Sequence, residues 1–395
     1  MKDVLIIANF CRDFSVNDNG RFMYLCKELS KNNNVEIITS DFRHSTKTHK
    51  EKLNTSWPFK ITFLHEIGYM KNISIRRFYS HYTWGKQVKK YLKKRKKPDV
   101  IYCAVPSLTA PLMAANYCNN RNVKFIIDIQ DLWPEAFKMA FHFPILSNLV
   151  FLPFNMIANH IYKKADKIIG VSNTYVNRGM RVNKKCNEGL SVYLGTNLNS
   201  FDEFCKSKKY IKNDEIWLGY CGSLSTSYDL TVVFDALELL QIKRTEIPTF
   251  MIMGNGQKME EFEKYAKKKK IKTVFTGRLA YDEMCAILSQ CDIVVNPISH
   301  NAAQSIINKV GDYAAAGVPV LNTQECQEYR DIVESYNMGI NCKNNDPADL
   351  AEKLEYLLEN QNVRIQMGKG ARKCAEELFD RAHTYQKIID LVVEK

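Results

Sequence analysis

Gln304-Ser305-Ile306-Ile307-Asn308-Lys309 runs into Val310-Gly311-Asp312-Tyr313, then Ala314-Ala315-Ala316 and Gly317-Val318-Pro319-Val320. The segment follows an apolar strand pattern, Ile293 to Val295, that Asn296-Pro297 ends. It opens polar, reads as a helix from about Asn308, stops at Gly317 and restarts as an apolar run. Strand, polar loop and helix start form a place where anions are held, because backbone N–H groups at a helix start lack partners and face the positive end of the dipole. Lys309 and Asp312 stand three residues apart on one helical face. A cation for a diphosphate beside a carboxylate for sugar hydroxyls suits a nucleotide-sugar. The same spacing also suits an amphipathic helix carrying an exposed i,i+3 ion pair.

Elements able to position such a segment recur along the chain. Strand-like runs at Val4–Ala8, Val35–Thr39, Ile61–Leu64, Val100–Cys103, Phe125–Ile129, Lys167–Val171 and Ser191–Tyr193 alternate with amphipathic stretches such as Arg21–Lys31 and Leu108–Asn119. This rhythm predicts a parallel sheet covered by helices on both faces. A polar, Lys-rich interval, roughly Thr196–Glu215, reads as a linker. Strands then follow at Trp217–Cys221, Thr249–Met253, Thr273–Phe275, Ile293–Val295, Val318–Leu321 and Gly339–Asn341, with helices between them. The tail from Pro347 reads as two or three helices. The expected fold class is therefore α/β, two doubly wound Rossmann-like domains facing a central cleft, with ligands at the carboxyl ends of the strands.

Composition narrows the alternatives. A chain of 395 residues is too long for one ordinary core, and 45% apolar with 25% charged residues marks a folded protein. Twelve scattered cysteines, none in a Cys-x-x-Cys pair, suggest neither a disulfide framework nor a metal knuckle, so a reducing cytosol fits. Residues 1–200 hold 31 Lys+Arg against 14 Asp+Glu, a net +17; residues 201–395 hold 25 against 29, a net −4, which together give +13. A basic first half attracts nucleic acid, an anionic membrane or a phosphorylated substrate. Met1–Ala8 is already a strand and lacks the pattern of a signal peptide. No run of about 18 apolar residues is present. Phe137–Ile161, apolar but broken by polar and Pro residues and followed by Lys163-Lys164, suits either a segment lying in a membrane interface or a buried helix pair.

Further loops point at the same ligand region. Gly222 follows the first strand of the second half and Gly254-Asn255-Gly256 the second, where glycine permits a sharp turn and close approach to a ligand. Neither matches a dinucleotide fingerprint or a P-loop, and each is also an ordinary strand-to-helix turn. Thr276-Gly277-Arg278 is a third corner, whose Arg278 could pair a phosphate or stack on a base. The Asp13–Arg21 loop, with Gly20 at a helix start, is a fourth. Asp128-Ile129-Gln130-Asp131-Leu132-Trp133-Pro134-Glu135 carries a strand into a carboxylate-rich corner. There Asp131 either caps the next helix or contacts sugar hydroxyls. Lys86–Lys97 packs Lys86, Lys89, Lys90, Lys93, Lys94, Arg95, Lys96 and Lys97 behind Arg76 and Arg77. Such a run gives about 1 kcal/mol per cation against anionic lipid, or serves solubility alone.

Taken in order, these residues resemble the GT-B glycosyltransferases, specifically the family 4 retaining enzymes of bacterial capsule, O-antigen and exopolysaccharide synthesis. The resemblance runs through the Gly20 loop, Asp131–Glu135, Ala165-Asp166 to Val171-Ser172, Gly195-Thr196-Asn197, Gly222-Ser223-Leu224 and the Gly254 and Gly277 corners. It also places Gln304 and Asp312 at the positions of the family's paired glutamates. It implies that Gln304, Lys309 and Asp131 serve catalysis, with Gln304 at the transferred sugar and Lys309 at the phosphates. Gly20, Gly222, Ser223, Gly254, Gly256, Gly277, Arg278, Ser305, Ile306, Ile307, Asn308 and Asp312 would bind the donor, Asp312 at the ribose. Arg76, Arg77, Lys89, Lys90, Lys93 and Lys94 would meet acceptor or membrane. The chain departs from the pattern at both altered acids, at Ser223 where relatives carry Arg, and at Gln130 where a His is frequent.

The resemblance implies an acceptor domain over 1–205, with a helix at about 380–395 packing back on it, and a donor domain over 206–379. The implied partners are a nucleotide-sugar donor, UDP-linked, a polyprenyl-diphosphate-linked glycan acceptor and an anionic membrane surface, at the cytoplasmic face of the cell membrane. No nucleic acid, no cofactor and no metal are expected. Two other classes fit parts of the sequence: a UDP-sugar 2-epimerase of the same fold, and a basic nucleic-acid-binding protein.

Overall fold

Continuous β-branched and apolar runs such as Val4-Leu5-Ile6-Ile7-Ala8 can be satisfied only as strands buried on both faces, and that is how the chain uses them. The computed structural model describes residues 1–11, 14, 20–50, 56–72, 74–138, 149–207, 212, 214–244, 246–300 and 306–394. They divide into two compact units, 1–192 with 385–395, and 193–384.

In the first unit the described strands are β1 (Asp3–Ala8), β2 (Asn34–Ser40), β3 (Phe42–Arg43), β4 (Thr48–His49), β5 (Lys60–Leu64), β6 (Val100–Val105), β7 (Lys124–Ile129), β8 (Lys167–Gly170) and β9 (Leu190–Ser191). Seven of them form a parallel sheet in the order β5-β2-β1-β6-β7-β8-β9, while β3 and β4 make a small antiparallel hairpin. Strand order reverses between β1 and β6, the switch point at which doubly wound sheets hold ligands.

The Arg21–Asp128 ion pair lies wholly inside this unit. Arg21, the first residue of helix Arg21–Ser30, places Nε 2.8 Å from Asp128 Oδ2 and Nη2 3.0 Å from Oδ1. The Arg21 Nη1 also donates to the Tyr385 hydroxyl at 3.0 Å and to the Val192 carbonyl at 3.2 Å. Both charged residues are buried. Helix Gln386–Val393 therefore belongs to this unit, with Ile388 and Val392 in its core.

The second unit carries β10 (Trp217–Cys221), β11 (Thr249–Met253), β12 (Thr273–Gly277), β13 (Ile293–Asn296), β14 (Val320–Asn322) and β15 (Gly339–Asn341) in a parallel sheet ordered β12-β11-β10-β13-β14-β15. Its switch point lies between β10 and β13. The expected α/β class of two Rossmann-like units is what the chain forms.

The expected border at 205/206 is corrected to 192/193. The polar interval read as a linker contains helix Leu198–Ser207, whose Leu198 and Phe201 are buried in the second core. Burying side chains of this kind is worth about 1.5–3 kcal/mol each, and Arg372 holds the same helix through Asp202 at 2.7 and 2.8 Å. Two apolar residues were outweighed in the sequence by their Lys-rich surroundings. The tail holds more than the two or three expected helices: Pro347–Glu359, Gln361–Cys374, a π-turn at Ala375–Phe379, Arg381–Thr384 and Gln386–Val393. The twelve cysteines are spread over both units, ten of them buried.

Candidate functional site

In the second unit the first and fourth strands in chain order end side by side, and their loops meet at Lys309. Its ammonium donates to the Tyr220 hydroxyl at 2.8 Å and lies 3.4 Å from the Tyr228 ring centroid and 4.4 Å from that of Tyr220. Aromatic faces attract a cation, by about 0.5–2 kcal/mol each. Enclosure between the rings, opposed by Cys221, pushes the ammonium down from 10.5 to about 7. The Tyr220 hydroxyl in turn donates to the Ser223 carbonyl at 2.8 Å.

Gly222 is the other half of this arrangement. Its φ of +146° is strained for any other residue, and a Cβ there would lie 1.9 Å from both Lys309 Cε and Nζ. Gly254 and Gly256 are equally constrained, since a Cβ on the first would strike the Gly222 carbonyl oxygen at 1.8 Å and on the second that of Leu224 at 2.1 Å. The glycines let the loop after β11 press on the loop after β10, and that loop in turn on Lys309. Gly277 has φ +70°, a Cβ on it would meet only open space, and the neighbouring Arg278 is exposed.

Lys309 and Asp312 turn to different partners, which corrects the exposed i,i+3 ion-pair reading. Asp312 Oδ1 accepts a 2.7 Å hydrogen bond from the Tyr281 hydroxyl, which shares another of 2.7 Å with Thr196 Oγ1. The helix Lys309–Ala315 is short, Asn308 makes no side-chain cap, and Ile306 is buried in the core. Ile306 and Ile307 therefore offer backbone and packing rather than side-chain chemistry. Gln304 and Ser305 lie outside the described residues.

Gly20 and Asp131 belong to the first unit. Gly20 sits extended at the N-cap position of helix Arg21–Ser30. Asp131 is corrected from a helix cap to a brace for the next side chain: Oδ1 accepts from the Leu132 N–H at 2.9 Å and Oδ2 from the Trp133 indole N–H at 3.1 Å. Burial raises its carboxyl, opposed by those two donors and by Arg77. Glu135 pairs with Arg178.

Around Trp133 the first unit gathers a cationic aromatic cluster that sequence reading missed. The Arg77 guanidinium lies 4.7 Å from the Trp133 ring, 5.5 Å from Tyr69 and 5.7 Å from both Phe10 and Phe137. His81 stacks on Trp133 at 5.3 Å, and His44 Nδ1 lies 2.6 Å from the Tyr69 hydroxyl. Burial, with Lys47 and Arg77 close by, pushes His44 down to about 4. These residues come from the ends of β1, β5 and β7, the β3–β4 hairpin and helix Ile75–Lys94, so spacing gave no signal. Arg77 is thus separated from the surface run in which it was placed, and Arg95 is tied to Asp3 and Glu36. Arg76, Lys89, Lys90, Lys93 and Lys94 are exposed.

Residues 202–374 match the family model described as glycosyl transferases group 1. The chain is 23% identical over 226 residues to the uncharacterized glycosyltransferase MJ1178 of Methanocaldococcus jannaschii, a match covering 57% of each protein. A second from that organism, MJ1069, is 23% identical over 60% of this chain and 61% of its own. The chain thus spans less than two thirds of the curated relatives it matches. Among solved structures, the Anabaena protein Alr3699/HepE in complex with UDP shares 14% identity and a TM-score of 0.70 over 100% of both chains. Sucrose-phosphate synthase from Thermosynechococcus elongatus shares 14% identity and a TM-score of 0.75, covering 99% of this chain and 98% of that one. The fold of the chain is the two-unit α/β fold of these solved structures, the GT-B class.

Proposed function

We propose that the chain is a retaining glycosyltransferase that moves a sugar from a nucleoside diphosphate donor, UDP-linked, to a polyprenyl-diphosphate-linked saccharide for a surface polysaccharide. The observation that carries the reading is Lys309, desolvated between two tyrosine rings against Gly222 at the switch point of the second unit, with no carboxylate among the described residues paired to it. A diphosphate supplies the missing counter-charge. The match of residues 202–374 to the group 1 family model and the UDP complex of a structural neighbour support the donor class.

In this reading Lys309 stabilises charge on the departing diphosphate, the contribution preorganised donors make best in a desolvated site. Asp312, oriented by Tyr281, takes the ribose hydroxyls. Gln304 meets the sugar, which enters as an amino sugar or a hexose. The acceptor hydroxyl attacks the face from which the diphosphate leaves, so configuration is retained through positioning rather than an enzymic nucleophile. The Arg77 cluster, cationic and aromatic, suits the acceptor's phosphate and its first sugar. Incubation with radiolabelled UDP-sugars and a polyprenyl-diphosphate saccharide should give a lengthened lipid-linked product. Consumption of UDP-sugar into an epimer without acceptor would assign a 2-epimerase instead.

Membrane docking is the second part of the proposal. Helix Ile75–Lys94 exposes Ile75 and Tyr79 at its start and Lys89, Lys90, Lys93 and Lys94 at its end. Phe78 meets Phe154 of helix Leu152–Lys164 at 5.3 Å, and the latter segment exposes Leu149, Val150, Leu152 and Met156. Apolar side chains beside a lysine run suit the interface of an anionic bilayer. No described helix is long and apolar enough to cross a membrane. Replacing the four lysines by Ala should weaken binding to anionic vesicles, read by sedimentation, by roughly 10²–10³-fold at low salt, at about 1 kcal/mol per lysine. Unchanged pelleting would remove the membrane from the proposal.

A further inference from the structure

We infer that Asp41, His49 and His65 of the first unit form a binding site for a divalent transition-metal ion, of the zinc class. Their side chains place one ligand atom each within 4.8 Å of one another. His65 Nδ1 lies 2.8 Å from Asp41 Oδ2 and His49 Nδ1 lies 3.3 Å from Oδ1, so the two imidazoles approach different oxygens of one carboxylate. Ligands of a tetrahedral ion bound at about 2.0–2.2 Å are themselves roughly 3.3 Å apart. Small side-chain adjustments would therefore bring both nitrogens and one oxygen onto a common ion.

The backbone holds all three in place. Asp41 N–H donates to the Leu64 carbonyl at the end of β5 at 3.1 Å, and the Asp41 carbonyl accepts from Lys50 N–H at 2.6 Å. His49 is fixed opposite Phe42 by the β3–β4 register, and its ring stacks on that of His65 at 5.3 Å and 19°. Asp41 Oδ1 accepts a 2.8 Å hydrogen bond from Glu66 N–H, an outer contact that orients a ligating carboxylate. The donor set of two imidazole nitrogens and one carboxylate oxygen is preferred by Zn²⁺, Ni²⁺ and Cu²⁺ over Mg²⁺ or Ca²⁺. Both histidines are largely exposed, so an ion enters from solvent and keeps water in its remaining position. Bound there, it fastens the hairpin to the end of β5.

Sequence spacing gave no hint, because the three ligands are scattered over Asp41 to His65. The inference does not depend on the proposed transferase reaction, since none of the three residues belongs to the donor or acceptor sets.

Zinc(II) titrated calorimetrically into the chelator-treated full chain should bind with one equivalent that His49→Ala and His65→Ala each weaken roughly tenfold or more. His300→Ala, which alters an exposed histidine of the second unit paired with Glu325, should leave that equivalent intact. Cobalt(II) at the site should give visible bands of nitrogen and oxygen ligation without thiolate charge transfer, which separates these residues from the cysteines. The same ion should raise the melting temperature of the parent and not of His49→Ala. Absence of saturable binding, binding indifferent to both variants, or a thiolate spectrum for that equivalent would overturn the assignment and leave Asp41 as a hydrogen-bond partner of two histidines.

Discussion

Turnover of Lys309→Ala is expected to fall roughly 10²–10³-fold, about 2.7–4 kcal/mol, the loss typical when one preorganised donor to a developing negative charge is removed. The loss should appear mainly in kcat, because the diphosphate carries more charge as it leaves than when it binds. Gly222→Ala should do comparable damage with the lysine intact, since its Cβ would occupy the place of Lys309 Cε and Nζ. A melting curve like that of the parent in either variant keeps the comparison one of chemistry. Undiminished transfer in both would remove the donor site from the second unit.

The same lysine gives the reaction a pH signature. In the free protein its ammonium sits near 7, so at about pH 8 it is mostly neutral, and a bound diphosphate should draw it back toward the usual lysine range. UDP binding at that pH should take up close to one proton, and little at about pH 6, where the group is already charged. Calorimetry in buffers of different ionisation enthalpy reads this uptake, and Lys309→Met should abolish it. For folding the sign is fixed too: between 7 and 10.5 the unfolded chain holds the extra proton, so this residue's contribution to stability rises with pH across that window.

Arg21→Ala is expected to cost about 3–5 kcal/mol in the unfolding of the first unit, because it leaves Asp128 charged and buried without its partner. Asp128→Ala should cost a similar amount by stranding the guanidinium. The double replacement should cost less than the two singles combined, since it removes both charges together. Tyr385→Phe removes one hydrogen bond to the charged Arg21 and should cost about 1.5–3 kcal/mol. Urea unfolding followed by a probe in the first unit measures all four. If the single variants melt like the parent, the pair is not a support of this unit.

Strands were the most legible feature, because runs such as Val4–Ala8, Trp217–Cys221 and Thr249–Met253 are apolar enough to have no other stable place than the middle of a parallel sheet. The unit border was not legible: Phe201 decides it by packing into the second core, and its neighbourhood reads as solvated linker. In the site, Gly222, Gly254, Gly256 and Lys309 could be picked out from their positions after strands. Tyr220 and Tyr228 could not, since one reads as a strand residue and the other as loop, and only the fold turns both rings toward one ammonium. Arg21 and Asp128 are separated by more than a hundred residues, and a carboxylate at the end of a buried strand was the sole clue. Gln304, central to the sequence argument, lies outside the described residues.

The thiols packed into both cores make natural reporters of breathing. Cys26, Cys103 and Cys118 in the first unit and Cys221, Cys291 and Cys342 in the second are each shielded from reagent while their own surroundings stay closed. Alkylation read residue by residue in a mass spectrometer would therefore time the opening of each half separately, and would show which half a nucleotide quiets.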